Sequence, residues 1–350
     1  MELYILLYIW SIVTSAVLIV NLNNRKVIYI IANLVPLIFF ATFRASNVGT
    51  DLSPIYLDFF YSLPEVLDFS DTRMEYGYTF LNYLVYQLTE SSIILLFIIA
   101  CLTYIPIFVV FHKCSSNVAI AVITFIGLYI YCTSLNAVRQ YLAISFMCVA
   151  YYHLYRSSGL GKSLGWCIVA VLFHKAAVVM IPLIFLYIYQ NSFKMYLGIV
   201  LGITALYLII LGQFKYMLSL FPQYSLQYAL SYYSQARDLT ASIILPVVTL
   251  IIFTFLSYYL YKNRNSSFDR NLAFFNIIFL LYSLSWIASF EVYIFYRFVY
   301  FFEIFFCFAI PYVVEKFFRQ RGGHLSFYMF CHVNLYVSTF KEEYINGSAI

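Results

Sequence analysis

The sequence predicts an all-α fold, a polytopic transmembrane helix bundle of about 11 spans, and three observations predict it. Of 350 residues, 64% are hydrophobic and only 10% are charged, against roughly half and a quarter in soluble domains. The mean hydropathy is +0.87; one water-facing core cannot bury that much apolar side chain, so lipid must solvate most of it. Apolar runs long enough to cross hydrocarbon recur along the chain, and the few charges between them sort by side. Aromatic residues make up 21% of the chain, with 36 Phe and 36 Tyr, an excess suited to membrane interfaces and to surfaces that meet sugar rings.

Windows of about 20 apolar residues place spans near 3–20, 27–43, 92–111, 118–135, 138–154, 195–212, 241–261, 271–289 and 298–314. The first run has no basic stretch before it and no small-residue cleavage site, so it is expected to be a membrane helix and not a signal peptide. Residues 164–189 form an apolar run interrupted by His174-Lys175, which fits either one tilted helix or a hairpin of two short ones.

Charge decides between them. With a hairpin, one side holds 12 basic residues: Arg25, Lys26, Lys113, Arg156, Lys162, Lys194, Lys262, Arg264, Arg270, Lys316, Arg319 and Arg321. The other side holds seven: Arg44, Arg73, Arg139, Lys175, Lys215, Arg237 and Arg297. With a single pass the later loops change sides and the counts become 8 and 10. Basic residues gather on the cytoplasmic side, so the hairpin is expected, making 11 spans with the N-terminus outside and the C-terminus cytoplasmic. The chain reads as a single membrane domain over 1–321, with external loops at 44–75 and 213–240, and then a cytoplasmic or interfacial tail over 322–350.

The net charge of +5 then belongs to cytoplasmic anchoring and implies no nucleic-acid partner. The seven cysteines lie scattered in or beside apolar runs without a CxxC pair. They read as small buried hydrophobes, not as a disulfide framework or a metal site.

The outer face carries the unusual residues. Arg44 ends the second span and leads into Asn47-Val48-Gly49-Thr50-Asp51, where Gly49 allows a positive φ and Asp51 or Ser53 can cap a helical turn beginning there. Arg139-Gln140 opens the fifth span, His174-Lys175 tops the hairpin, and Glu291 and Arg297 flank the last external turn. Arginines at span ends ordinarily anchor the cytoplasmic side. Three on the outer side point either to an anionic ligand or to ion pairs with Asp51, Glu75 and Glu291. In the second external loop Tyr216, Leu220, Tyr224, Tyr228 and Tyr232 recur every four residues, a helical stripe that suits either the headgroup level or a stacking surface for glycan.

In order along the chain stand Arg44…Val48-Gly49-Thr50-Asp51, Glu75-x-Gly77, Val138-Arg139-Gln140-x-x-Ala143, Phe173-His174-Lys175-Ala176 and Tyr296-Arg297. That succession resembles the EpsG family of Wzy-like bacterial polysaccharide polymerases, over roughly residues 25–315. The resemblance implies a glycosyltransferase at the outer face of the bacterial inner membrane, serving O-antigen, capsule or exopolysaccharide synthesis. The donor would be a growing polysaccharide on undecaprenyl diphosphate, and the acceptor one new undecaprenyl-diphosphate-linked oligosaccharide repeat unit. A chain-length regulator protein is the partner the family implies.

Such chemistry needs stabilisation of charge on the departing diphosphate and a base for the attacking hydroxyl. Arg44, Arg139 and Arg297 are the expected diphosphate clamp, because arginine stays charged and donates in pairs; Gly49 and Gln140 complete the substrate-binding set. His174 is the first choice of base, since histidine changes charge near neutral pH, with Asp51 and Glu75 next. Equally, His174 fits a buried hydrogen-bonded residue between two short helices, and Asp51 a structural partner of Arg44. No cofactor and no metal are expected, as the sequence has no D-x-D and no histidine cluster. Two other readings compete. A flippase or transporter of the same lipid-linked oligosaccharide would spread charge through the bundle depth and repeat its spans. A membrane O-acyltransferase acting on the glycan would place a key histidine early in the chain.

Overall fold

The computed structural model describes residues 2–21, 25–49, 51–63, 74–156, 159–219, 239–265, 268–291 and 294–318. Among them every regular element is helical. In chain order these are α1 Glu2–Ser15, α2 Lys26–Thr42, α3 Asp58–Tyr61, α4 Tyr76–Leu88, α5 Ser92–Cys114, α6 Val118–Gly127, α7 Ile130–Asn136 and α8 Val138–Tyr155. Next come α9 Leu160–Phe173, a 3-10 turn at Lys175–Met180, α10 Ile181–Tyr189, α11 Phe193–Ser219, α12 Leu239–Lys262, α13 Arg270–Glu291, α14 Ile294–Glu303 and α15 Phe306–Phe318.

Helices α5, α11, α12 and α13 are each long and apolar enough to cross a membrane alone. The pairs α6 with α7, bent by 53°, and α14 with α15 qualify together, and α1, α2, α9 and the stretch 175–189 are shorter apolar helices. Every span expected from the sequence therefore falls on a helix or a broken pair, and the chain is an all-α polytopic membrane protein. The break in the 164–189 run falls at His174, whose backbone is extended at φ −158° and ψ 116°. Two boundaries differ from expectation. Helix α11 continues to Ser219, into the second loop, and the first loop contains helical turns at Leu52–Leu57 and Asp58–Tyr61. Glu65, Asp68, Asp71, Tyr224, Tyr228, Tyr232 and the 322–350 tail lie outside the described residues.

The described chain forms two compact units, residues 2–184 with 306–318, and residues 185–305. In the first unit α8 packs against α5 and α9, α5 also packs against α2, and α6 packs against α1 and α15. Helix α2 shows the membrane logic: Ile31, Val35 and Phe39 are exposed while Asn33 is buried, its amide donating to Thr14 Oγ1 at 3.2 Å. In lipid the apolar face turns outward and polar groups must find partners within the bundle.

Two prolines test that rule. Pro36 in α2 and Pro106 in α5 have no N–H, which deprives the carbonyls four residues earlier of their helical donors. Trp10 Nε1 donates to the first of these, Ala32 O, at 2.9 Å, and Ser145 Oγ donates to the second, Leu102 O, at 2.9 Å. Each donor comes from a neighbouring helix, so both prolines are tolerated and the helices are cross-linked. At the α6–α7 break Tyr129 adopts φ +65°, and the next turn is held by Tyr131 Oη donating to Leu37 O at 2.9 Å.

The second unit is built around α13, which packs against α11, α12 and α14. Its centre is a neutral polar node. Asn276 Nδ2 donates to Tyr196 Oη at 2.8 Å and Ser257 Oγ at 2.9 Å, and those two hydroxyls bond each other at 2.7 Å. Outward, α12 presents Val247, Ile251, Phe255 and Tyr258, three or four residues apart, as an apolar stripe for lipid.

Candidate functional site

Beyond α2 the chain turns through Ala45 to Gly49. Val48 N–H donates to Ala45 O at 2.9 Å and Leu52 N–H to Gly49 O at 3.1 Å. Gly49 has φ +94°, and a Cβ there would lie 2.8 Å from Leu135 O and 3.4 Å from Asn136 Cα. Both its conformation and the closeness of a neighbouring backbone require glycine. The same junction is tied by Asp51 N–H donating to Asn136 Oδ1 at 3.0 Å. The first loop is thereby seated on the last turn of α7, three residues before Arg139.

From this seat Leu52, Tyr56 and Phe60 enter an apolar cluster with Tyr78, Val85, Leu95, Ile99, Val138 and Leu142. That packing brings the start of α4 against the end of α9, where a Cβ on Gly77 would meet Leu172 O at 2.9 Å. The Glu75-x-Gly77 spacing thus has a structural reason. Only glycine lets the helix start approach so closely, and Glu75, two residues earlier, is delivered beside His174.

Glu75 is the hub. Its Oε2 pairs with Arg139 Nη1, and its Oε1 lies 3.1 Å from His174 Nδ1. Lys175 N–H donates to the same Oε1 at 3.4 Å. The guanidinium of Arg139 also stands over the Tyr56 ring, 5.8 Å from its centroid, in cation–π range. Burial alone would raise the Glu75 carboxyl; the hydrogen bond with His174 and the charges of Arg139 and His174 outweigh it and hold it at about 2. Such a carboxylate keeps its charge at neutral pH and is a weak base toward a hydroxyl.

Arg44 has the opposite environment. Its Nε is buried without a hydrogen-bond partner, and among the described residues no acidic side chain pairs with it. The C-terminal end of α2 offers it about half a unit of negative charge at most. Arg44 lines a small cavity of about 20 Å³ with Thr103, Tyr104, Ser134 and Val138, room for a water molecule. Two of these hydroxyls are already committed, since Tyr104 Oη and Ser134 Oγ bond each other at 2.7 Å and Ser134 also donates to Tyr131 O. Tyr56 and Tyr78, edge to face at 5.9 Å, lie within the fields of both Arg44 and Arg139.

Of the residues singled out from sequence, Glu75, Arg139 and His174 meet directly. Gly49 and Asp51 pack on the turn leading into Arg139, and Gln140 is buried next to it on α8. Of the two arginines in this unit, Arg139 is paired with Glu75, whereas among the described residues no acidic side chain pairs with Arg44. Arg297 stands exposed on α14 in the second unit. Sequence reasoning did not single out Tyr56 or Asn136 as site residues, nor the cavity hydroxyls Thr103, Tyr104 and Ser134. Asn136 was within reach, standing three residues before Arg139 in the same run. Among the described residues no three His, Cys, Asp or Glu side chains lie close enough to hold a metal ion.

A model described as the EpsG family matches residues 26–346. No curated protein and no solved structure matches the chain.

Proposed function

The chain belongs to the EpsG family, the family of Wzy-like polysaccharide polymerases, and we propose that it joins oligosaccharide repeat units carried on undecaprenyl diphosphate. The growing chain is the donor and a newly delivered lipid-linked unit is the acceptor, at the outer face of the bacterial inner membrane. On this reading the N-terminus lies outside and the C-terminus in the cytoplasm. The observation that carries the proposal is Arg44, a partly buried cation with no acidic partner among the described residues, beside the Glu75–Arg139–His174 cluster. A cation held in that condition favours an incoming anion, and a polyprenyl diphosphate supplies one.

In the transfer, a hydroxyl oxygen of the acceptor's non-reducing sugar forms a bond to the donor's anomeric carbon. The bond from that carbon to the phosphate oxygen breaks, undecaprenyl diphosphate departs, and the hydroxyl proton passes to His174. Arg44 takes the charge that develops on the diphosphate. A contact that stabilises developing charge of this kind contributes roughly 3–4 kcal/mol, or about 10²–10³ in rate. The test is the surface-glycan profile of a strain lacking this chain. A polymerase predicts single repeat units in place of long chains. Loss of all units would indicate a flippase, and full-length chains with altered substituents an acyltransferase; either result overturns the proposal.

A further inference from the structure

Glu75 touches Arg139 and His174 together, and this geometry divides the labour of the site further than the polymerase reading on which it rests. We infer that Glu75 is a positioning residue that fixes the His174 ring through Nδ1, so that Nε2 takes the acceptor's proton, and that Arg139 serves chiefly to hold Glu75 in place.

The geometry supports this at the two contacts of Glu75, with His174 Nε2 itself buried. The two oxygens of Glu75 are divided, Oε2 to Arg139 and Oε1 to His174 Nδ1 at 3.1 Å. A carboxylate that accepts from one imidazole nitrogen sets which nitrogen is left to accept a proton, and stabilises the ring when it becomes positive. The carboxylate is itself fixed. Glu75 immediately precedes α4, and its carbonyl accepts from Thr79 N–H at 2.9 Å. The close approach of Gly77 to Leu172 O holds that helix start against the end of α9, two residues before His174. Arg139 is held in turn by its place in the first turn of α8 and by the Tyr56 ring below it. Three segments far apart in sequence are therefore pinned at one carboxylate.

Charge balance points the same way. Arg139 and Glu75 together carry no net charge, so the pair offers a diphosphate little attraction, whereas Arg44 has no such counter-charge among the described residues. Among the described residues Glu75 before α4 lies against the ring and Lys175 follows it in the chain, with Arg139 of α8 on the other oxygen of Glu75 and Tyr56 of the 52–57 turn beside Arg139.

The experiment uses the purified full chain in detergent, with lipid-linked repeat units isolated from a strain lacking it. Initial rates are measured per mole of protein against unit concentration. Glu75→Gln keeps the shape of the side chain and removes its charge. It is expected to lower kcat by on the order of 10²–10⁴-fold with KM unchanged, and Glu75→Asp, which keeps the carboxylate, to recover part of the rate. A merely structural role would lower both variants alike, in step with the amount of folded protein read by thermal unfolding. Native kcat in Glu75→Gln, or an equal loss in both variants, would overturn the role of Glu75. Arg139→Ala is expected to lower kcat with KM unchanged; a raised KM with kcat intact would place Arg139 on the phosphates and overturn its assignment. If the native chain itself forms no polymer from these units, the polymerase reading fails, and this inference with it.

Discussion

Two buried polar clusters among the described residues differ in one respect. In the second unit, Asn276, Tyr196 and Ser257 form a neutral triangle whose members bond one another across three helices. In the first unit, Glu75, Arg139 and His174 form an ionic cluster, and Arg44 nearby has a cation without an acidic partner among the described residues. Neutral hydrogen bonds between membrane helices act as glue worth about 0.6 to 2 kcal/mol each. A partly buried cation left without a counter-charge costs stability, so its retention is better explained by a ligand that supplies the charge. On the proposed reading, the difference separates a part that holds helices together from a part that does chemistry.

The largest effects are expected at the ionic cluster and its neighbour. Arg44→Ala and His174→Ala should each abolish long-chain polymer while the protein reaches the membrane at its normal level, as read by glycan electrophoresis beside quantitative immunoblotting. Native chain lengths in either variant would remove that residue from the site. Gly49→Ala comes next. It adds a methyl group 2.8 Å from Leu135 O at a φ of +94°, a strain of about 1–3 kcal/mol. Lower thermal stability in detergent and shortened glycan should appear together; native values of both would show that the loop does not need its seat on α7.

Asn276→Leu is expected to act in the other cluster alone. It should lower thermal stability by about 1–2 kcal/mol and leave glycan length unchanged once the amount of protein is matched. Lost polymerisation at matched protein would break the division between the two clusters. A further effect concerns pH. The Glu75 carboxyl is held at about 2 in the folded chain, down from its ordinary 4.5. A depressed carboxyl contributes its full stability above the unfolded value and loses it as pH falls toward the folded one. Comparing the native chain with Glu75→Gln by thermal unfolding should therefore give a constant difference from pH 8 to pH 6 that shrinks below about 4.5.

The helices were legible because a membrane span needs only a long apolar run, which is local in sequence. The break at His174 was legible for the same reason, as a polar pair inside such a run. Arg44 and Arg139 were legible as charges at the ends of expected spans. The task of each arginine was not. Arg139 finds its partner 64 residues away, and nothing local distinguishes it from Arg44. The donors that satisfy the proline-freed carbonyls, Trp10 and Ser145, likewise stand 22 and 43 residues from their acceptors. Pairings of that kind depend on how helices pack, and packing in lipid leaves little pattern in a uniformly apolar sequence. Gly77 was legible as part of a motif, but its reason, the 2.9 Å approach to Leu172 O, exists only in the folded chain.

The most direct test of polymerase action tracks both products of one turnover. Purified chain is supplied with undecaprenyl-diphosphate-linked repeat units, and the glycan ladder and the released undecaprenyl diphosphate are measured together. Transfer between two lipid-linked units predicts one lipid diphosphate released for each repeat unit added, with both signals lost in Arg44→Ala. A ladder without lipid release, or neither product from the native chain, would contradict it.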